Sequence, residues 1–263
     1  MQTTDTVFIV DDSMDIRQSF TAMVSNRGLR AESFSSGAEF LGAYNDARFG
    51  QTTGCLIVDV RLPGMSGLDV LEALGERGIR LPAIVVTGYG EIPMVVRAIR
   101  AGAIDFLEKP CDSVQLNRSI DLAFRLDALN RKVVQQLSAI DGRLALLTPP
   151  ERRVMELLVA GRPNKAIAAE LDLSLRTIEF RRARVLQVLD VRSVSEVVAV
   201  KVARDRLVVQ STRPFNEWTD GLGVGSPADC DFDLCPAWIQ ESPAAAFPDV
   251  APTVESSLAL GAP

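Results

Sequence analysis

Short apolar runs alternate with longer amphipathic segments over the first 124 residues of the chain. The apolar runs have the length of buried strands, and the segments between them repeat apolar residues at helical spacing. Five such repeats predict a doubly wound, five-stranded parallel α/β sheet. The strand runs are TVFIV, RAESF, CLIVD, AIVVT and IDFLE, and the helical segments are residues 14–27, 36–46, 67–77, 91–101 and 113 onward.

The pattern changes twice in the rest of the chain. Residues 125–147 are polar and compatible with a helix, and the following residues, up to 206, predict four short helices. After about residue 210 the chain is acidic and holds half of its 14 prolines, a composition typical of disordered segments. We therefore predict an α/β domain (1–124), a helical linker (125–145), an all-α domain (146–206) and an acidic, Pro-rich tail (207–263).

The charge is distributed unevenly along these segments. The net charge of −6 would argue against a nucleic-acid partner if the chain were one unit. Counted separately, residues 1–124 carry −5, residues 125–143 carry +2, residues 144–206 carry +4 and residues 207–263 carry −7. Net positive charge is therefore confined to the middle of the chain, over residues 125–206, and such asymmetry favours a local polyanionic partner.

Cysteine and histidine usage excludes several kinds of site. The four cysteines, at positions 55, 111, 230 and 235, match no zinc-binding spacing or disulfide framework, and the chain has no histidine. The first residues have neither a basic leader nor a long apolar stretch. We expect a cytoplasmic protein without a membrane segment.

Polar residues stand at the carboxyl ends of the predicted strands. Asp11 and Asp12 follow the first strand, and Asp59 ends the third, central strand. Thr87 and Lys109 lie at or just past the ends of the last two. A parallel sheet gathers such residues at one edge, and clustered carboxylates suit Mg²⁺. Asp59 is the candidate nucleophile toward a phosphoryl group, a reaction that needs positioning and charge neutralisation more than a base.

The segments VFIVDD, CLIVDVRLPGMSGLDV and LPAIVVTGYGEIPMVVRAIRAGAIDFLEKP resemble the receiver domain of FixJ-type two-component response regulators, over residues 6–124. The resemblance implies that a sensor histidine kinase phosphorylates Asp59. It also implies Mg²⁺ as cofactor, held by Asp12, Asp59 and the backbone carbonyl of Arg61, with Asp11 acting through water.

The same resemblance implies roles at the last two strands. Thr87 and Lys109 would contact the phosphoryl oxygens, and Phe106 would be a switch aromatic. The Lys109-Pro110 bond would be cis. Taken singly, each position also fits a structural role: Phe106 in the core, Thr87 as a strand residue and Lys109 as a solvated charge.

The all-α region has helix-turn-helix organisation. LTPPERRVMELLVAGRPNKAIAAELDLSLRTIEFRRARVLQVLDV contains a proline-started helix, a glycine break, a short helix, a turn and a longer helix. On the longer helix, Ile178, Val185, Leu186 and Leu189 share one face. The opposite face has basic, small polar and apolar groups that suit phosphates, base edges and thymine methyls. Its members are Arg176, Thr177, Phe180, Ala183, Arg184 and Gln187.

Residues 146–206 resemble the LuxR/NarL-type output domain, and the domain order is that of FixJ. This implies a phosphorylation-controlled transcriptional regulator, not an enzyme, that binds double-stranded DNA and forms a homodimer on phosphorylation, with RNA polymerase as a further candidate partner. The candidate DNA contacts are Lys165, Arg176, Thr177, Phe180, Arg181 and Arg184.

The output region departs from the family pattern at four positions. Asp172 and Asp190 stand where glycine is usual at a helix end, which predicts a left-handed residue or a bent turn. Arg181 replaces a common histidine, and Phe180 is larger than the usual valine. The family's known operator sequences are therefore not assumed for this chain.

Two other functions remain open from the sequence. One is a Mg²⁺-dependent aspartyl-phosphate hydrolase, but such enzymes usually carry a second Asp two residues after the nucleophile, where this chain has Arg61. The other is an output module that binds protein, against which the local positive charge weighs.

The acidic tail has two readings. Its aromatic and acidic residues could dock on the basic output helix and compete with DNA, or the tail could be an inert extension. Cys230 and Cys235 could form a redox pair, although cytosolic thiols are usually reduced. The aromatic residues are Trp218, Phe232, Trp238 and Phe247.

Overall fold

The computed structural model describes residues 5–44, 53–88 and 91–213. They form an N-terminal α/β domain and a C-terminal all-α domain, which confirms the predicted fold class. The tail beyond residue 213, with Cys230, Cys235 and the tail aromatics, lies outside the described residues. The predictions of tail docking and of a cysteine pair therefore stay predictions.

The N-terminal domain is a five-stranded parallel sheet in the order β2-β1-β3-β4-β5. Its strands are β1 (Thr6–Val10), β2 (Arg30–Phe34), β3 (Gly54–Val58), β4 (Ala83–Thr87) and β5 (Asp105–Glu108). The helices among them are α1 (Met14–Ser25), α2 (Gly37–Ala43), α3 (Gly67–Glu76), α4 (Ile92–Arg100) and α5 (Ser113–Ala145). Each predicted strand is present, and β3 is central.

Successive residues of each strand pack on opposite faces of the sheet. In β1, Phe8 and Val10 join an apolar cluster with residues of α2, α3 and α4. Val7 and Ile9 join a second cluster with residues of α1 and α5. Because both faces are covered, the three inner strands β1, β3 and β4 are buried along their whole length, and each fully buried apolar side chain stabilises the fold by roughly 1.5–3 kcal/mol. The sheet is therefore a rigid support for the residues at its carboxyl edge.

Helix α5 belongs to both domains. The Asp112 side chain accepts a hydrogen bond from the Gln115 backbone N–H at 2.7 Å and so caps the helix. Leu116, in the first turns, packs in the receiver-side core, whereas Val133 and Ile140 pack in the core of the C-terminal domain. The segment predicted as a linker is thus part of one continuous helix.

The C-terminal domain contains the four predicted helices. They are α6 (Pro149–Val159), α7 (Asn164–Leu171), α8 (Leu175–Leu189) and α9 (Val194–Thr212). Asp172 ends α7 and Asp190 ends α8, each with a φ of 52°, so both adopt the left-handed conformation that the missing glycines predict. In the parts of the chain that the structure describes, no helix combines the length and apolar character needed to cross a bilayer.

Candidate functional site

Three carboxylates meet at the carboxyl edge of the sheet. Asp11 and Asp12 follow β1, and Asp59 follows the adjacent strand β3. One oxygen from each of these carboxylates lies within 4.8 Å of those of the other two. Asp11 is only 2% exposed and Asp59 only 9%, whereas Asp12 is exposed, so two of the three carboxylates are largely withdrawn from water. Negative charge at this density needs cationic partners to be stable.

Lys109 supplies the first of these partners. Its Nζ donates to Oδ2 of Asp11 and to Oδ2 of Asp59, each at 2.5 Å. Burial by itself would lower the pKa of Lys109, but the hydrogen bonds to the two carboxylates and their negative charges outweigh it and raise this pKa. Lys109 is therefore a fixed positive charge between the two buried carboxylates at neutral pH.

Thr87 and Phe106 lie on the two strands beside this cluster. Thr87 ends β4 and is 1% exposed, and its backbone carbonyl accepts from the Lys109 N–H at 2.8 Å. Phe106 pairs with Val85 across β4 and β5 and is partly buried against the apolar cluster. The Lys109-Pro110 bond is cis, as the family resemblance implies. The structure thus brings Thr87 and Lys109 to the edge that carries Asp59.

Backbone contacts that the sequence did not reveal position the carboxylates. The Arg61 N–H donates to Oδ1 of Asp59 at 3.1 Å, and Arg17 donates to the backbone carbonyls of Asp11 and Asp12 at 2.7 and 2.9 Å. At Gly67, a Cβ atom would lie 2.1 Å from the Asp59 carbonyl oxygen. A side chain at this position would displace the loop that carries Asp59. The only sequence signal was the presence of Gly67 within the quoted receiver-like segment.

The donor set fits a divalent cation. The three carboxylates and Lys109 leave an excess of two negative charges. Mg²⁺ prefers oxygen ligands from carboxylates, carbonyls and water, and receiver domains generally bind Mg²⁺ at such an acidic site. The chemistry of these residues is therefore suited to Mg²⁺.

The second group of predicted residues lies on the outer face of α8. Ser174 caps this helix by accepting from the Thr177 N–H at 3.1 Å, and a three-residue turn separates α7 from α8. Ile178 is buried in the domain core, whereas Arg176 is exposed and Phe180 is 72% exposed. Because these two exposed side chains lie four residues apart on the helix, a basic and an aromatic group are neighbours on this face.

The other predicted contacts lie on the same two helices. Arg184 is exposed on α8, where it also donates to Oε1 of Gln187 at 3.1 Å. Thr177 and Arg181 are partly exposed, and the Thr177 hydroxyl lies 2.8 Å from that of Ser174. Lys165 is exposed at the start of α7. The basic face predicted from the helical period is therefore accessible, and which of its side chains contact DNA stays a prediction.

Comparison with known protein families assigns both domains. Residues 7–121 match the response regulator receiver domain, and residues 145–201 match the LuxR family of bacterial regulatory proteins. The first match contains the acidic cluster, and the second contains the helix-turn-helix.

Individual relatives share both domains in this order. The transcriptional regulatory protein FixJ of Rhizobium meliloti is 38% identical over 198 residues, which are 75% of this chain and 95% of FixJ. The response regulator protein TmoT of Ectopseudomonas mendocina is 39% identical over 195 residues, 74% of this chain and 86% of TmoT. The solved structure of the response regulator StyR superimposes with a TM-score of 0.66 at 34% identity, covering 76% of this chain and 99% of StyR. The chain belongs to the FixJ-type response regulators, which are transcription factors regulated by phosphorylation.

Proposed function

We propose that Asp59 is the phosphoacceptor and that a sensor histidine kinase is the donor. An oxygen of the Asp59 carboxylate would attack the phosphorus, the bond from phosphorus to the donor histidine nitrogen would break, and Asp59 would become an acyl phosphate. The observation that carries this proposal is the position of Asp59, at the central strand end beside Lys109. The reaction depends on positioning and charge neutralisation, which this edge of the sheet supplies without a histidine base.

Each neighbour of Asp59 has a proposed task. Asp12, Asp59 and the backbone carbonyl of Arg61 would hold Mg²⁺, with Asp11 acting through a water molecule. When bound, Mg²⁺ would neutralise charge on the phosphoryl oxygens. Lys109 would move from the carboxylates toward one phosphoryl oxygen.

Two residues would transmit the change. Thr87 would donate its hydroxyl to another phosphoryl oxygen, and Phe106 would be the aromatic that changes position in response. Thr87 is the last residue of β4, and Phe106 lies in the adjacent strand β5, where it pairs with Val85. Arg61 stands two residues after Asp59, so this site lacks the second Asp that a turnover hydrolase uses there.

The output domain would bind double-stranded DNA through α8. Arg176, Phe180 and Arg184 recur at every fourth position of this helix and therefore share a face that fits a major groove. Lys165, Thr177 and Arg181 would contribute phosphate or base contacts at its margins. With DNA as its partner, the protein would act in the cytoplasm, and RNA polymerase would be a candidate neighbour.

Phosphorylation would promote a homodimer through residues 91–101, 104–108 and 112–122. The apolar side chains of Ile92, Val96 and Ile99 are exposed on this face, on one side of α4. A dimer would present two output domains to paired half-sites, so a modest gain in association would give a larger gain in DNA affinity. Sedimentation before and after phosphorylation tests this, and an unchanged monomer would reject it.

The phosphoacceptor assignment is tested by labelling with a phosphorylated histidine kinase, or with acetyl phosphate, in the presence of Mg²⁺. Asp59→Asn should abolish incorporation. Glu108→Gln is the matched control, because Glu108 is an exposed carboxylate at the end of β5 and should leave incorporation unchanged. Full labelling of the Asp59→Asn protein would show that another residue accepts the phosphoryl group.

A further inference from the structure

The last turns of helix α5 contact more than one helix of the output domain. Nη2 of Arg152, on α6, donates to the backbone carbonyl of Leu144 at 3.0 Å. Nε of Arg204, on α9, donates to Oδ1 of Asp141 at 2.6 Å. These residues of α5 lie between the receiver match and the LuxR-family match and belong to neither. They are nonetheless joined to the output domain by specific polar contacts.

Arg143, in the same part of α5, contacts the end of α8. Its Nη1 donates to the backbone carbonyl of Leu189, the last residue of α8, at 3.3 Å. The same nitrogen lies 3.4 Å from Oδ2 of Asp190, the residue that follows the helix. The last carbonyls of a helix lack partners within it and carry partial negative charge. The guanidinium of Arg143 is therefore a C-terminal cap for α8, supplied by another helix.

The two halves of α8 rest on different apolar clusters. Ile178, in the first half, packs with residues of α6 and α7. Val185 and Leu189, in the second half, pack in a cluster that contains Val133 and Ile140 of α5. The first half is thus supported within the helix-turn-helix, whereas the second half is supported by α5, through apolar packing as well as through the cap.

The proposed DNA contacts extend along α8 toward this capped end. Arg176 lies in the first turn, and Arg184 lies five residues before Leu189. A helix of 15 residues is roughly 22 Å long, so a small change in its tilt displaces side chains near one end more than those near the other. Simultaneous contacts in a major groove therefore require that both ends of α8 are held in place.

We propose that Arg143 is a positioning residue for DNA recognition, which fixes the angle of α8 by capping its C-terminal end from α5. This inference rests on the proposed function of α8. Arg143 acts on the backbone at the end of the helix, and the bases are contacted by residues nearer its start. The unit that recognises DNA then begins within α5, in the segment that the sequence suggested as a linker.

The positioning role is tested by the affinities of the full-length protein for two DNA probes. One is a genomic fragment selected by the wild-type protein, and the other is a random-sequence duplex of the same length. Arg143→Ala should lower the ratio of the two affinities about fivefold. The loss cannot exceed the free energy that the cap supplies, which is small for a partly exposed charged contact.

Two further variants control for charge and for location. Arg143→Lys should retain most of the ratio, because the ammonium keeps a charged donor at the end of α8. Asp141→Asn is the matched control on α5, because its described hydrogen bond joins it to α9, and it should leave the ratio unchanged. An equal fall of the ratio in Asp141→Asn, or an unchanged ratio in Arg143→Ala, would overturn the proposal.

The salt dependence of binding separates positioning from a direct contact with DNA. On the random-sequence duplex, the slope of log affinity against log salt should be the same for the wild-type and Arg143→Ala proteins. Loss of a phosphate contact would instead reduce this slope by about 1. A reduced slope would show that Arg143 itself binds the DNA backbone, which also overturns the proposal.

Hydrogen–deuterium exchange without DNA tests the cap itself. The N–H groups of Asp190 and Val191 donate back to carbonyls of α8, at 3.1 and 2.9 Å, and close its end. Arg143→Ala should speed their exchange about fivefold, and Asp141→Asn should not. Faster exchange with an unchanged affinity ratio would mean that the cap is only structural, which rejects the positioning role.

A last measurement separates this inference from the proposed function on which it rests. If Phe180→Ala weakens binding to the selected fragment and Arg143→Ala does not, α8 binds DNA but Arg143 does not position it. If neither variant changes binding, DNA contacts another surface, and the proposed function of α8 is rejected together with the inference. The exchange measurement would then still decide whether Arg143 holds the end of α8.

Discussion

The two domains place their chemistry in opposite environments. In the receiver, Asp11, Asp59 and Thr87 are each less than a tenth exposed, and Lys109 is bonded to both carboxylates. In the output domain, Phe180 stands 72% exposed on the outer face of α8. The charged side chains of the receiver site already contact one another within the folded domain. The output surface acquires its contacts only when a partner binds.

This difference sets the energetic weight of similar residues. Lys109 and Lys201 each form an ion pair, but Lys109 lies between two buried carboxylates, whereas Lys201 pairs with the exposed Asp205 one helical turn away. Removing one partner of a buried ion pair leaves an uncompensated charge, while an exposed pair contributes little. The ion pairs of Lys109 therefore contribute more to stability than the ion pair of Lys201 does.

The largest expected effect is on the receiver side. Lys109→Met should lower the free energy of unfolding by about 3 kcal/mol without Mg²⁺, because Asp11 and Asp59 lose their neutralising partner. Mg²⁺ should restore part of this loss, since it neutralises the same carboxylates. Urea denaturation with and without MgCl₂ measures both values.

The matched variant in the output domain is Lys201→Met. It should change the free energy of unfolding by less than about 0.5 kcal/mol and show no response to Mg²⁺. If Lys109→Met and Lys201→Met lower the free energy of unfolding by similar amounts, the two domains do not differ in the way described here.

The next largest effect is on the affinity for DNA, with little change in stability. Phe180→Ala should weaken binding to a selected site by about 1–2 kcal/mol, because an exposed aromatic loses its contact with the DNA. Arg176→Ala should weaken binding to all sequences and reduce the slope of log affinity against log salt by about 1. Gel shifts over a range of salt concentrations separate these two patterns.

Neither Phe180→Ala nor Arg176→Ala should change the free energy of unfolding by more than about 0.5 kcal/mol, because both side chains are exposed. Ile178→Ala is the contrasting variant on the buried face of the same helix, where loss of packing should cost about 2–5 kcal/mol. Tight binding by Phe180→Ala, with unchanged affinity and specificity, would show that DNA meets another surface.

The same contrast decides how much could be predicted from the sequence. The residues of the acidic cluster were predictable one by one, since alternation of strands and helices sends every strand end to the same edge of the sheet. On α8 the helical period predicted which residues share the outer face, but individual contacts depend on a DNA sequence that this chain does not encode.

Other positions could not be predicted because their role arises from distant segments. Arg80 meets α9 across 130 residues of chain, and Gly67 is required by the approach of the Asp59 backbone. Asp127 on α5 accepts from the Gly54 N–H of β3 at 3.2 Å, in a helix that looked like a polar connector. Such contacts leave no periodic signal in the sequence.

Asp127 gives a pH-dependent prediction. Burial raises the pKa of this carboxyl, and the hydrogen bond and charge of Arg131 only partly offset it. A raised pKa in the folded state means that stability is fully present below the unfolded-state pKa, near pH 4, and decreases as the pH rises through the folded-state value. Asp127→Asn should remove this decrease. The urea midpoints of both proteins, plotted against pH from 4 to 7, measure it. Parallel plots for the two proteins would show that Asp127 does not cause the pH dependence.

The smallest effect compares two helix ends within the output domain. Asp172 and Asp190 both have a φ of 52°. Asp190 also forms an ion pair, in which its Oδ2 lies 3.4 Å from Nη1 of Arg143, and its side chain is 72% exposed. Asp172→Gly should stabilise the domain by about 0.5 kcal/mol, because relief of left-handed strain exceeds the greater entropy of an unfolded glycine. Asp190→Gly should gain less stability, since it also loses the weak ion pair with Arg143.

The alanine variants, which keep the strain, should be about 1 kcal/mol less stable than the corresponding glycine variants at both positions. Urea unfolding of the four proteins decides the matter: an equal stability of glycine and alanine at either position would mean that the left-handed conformation carries no cost there.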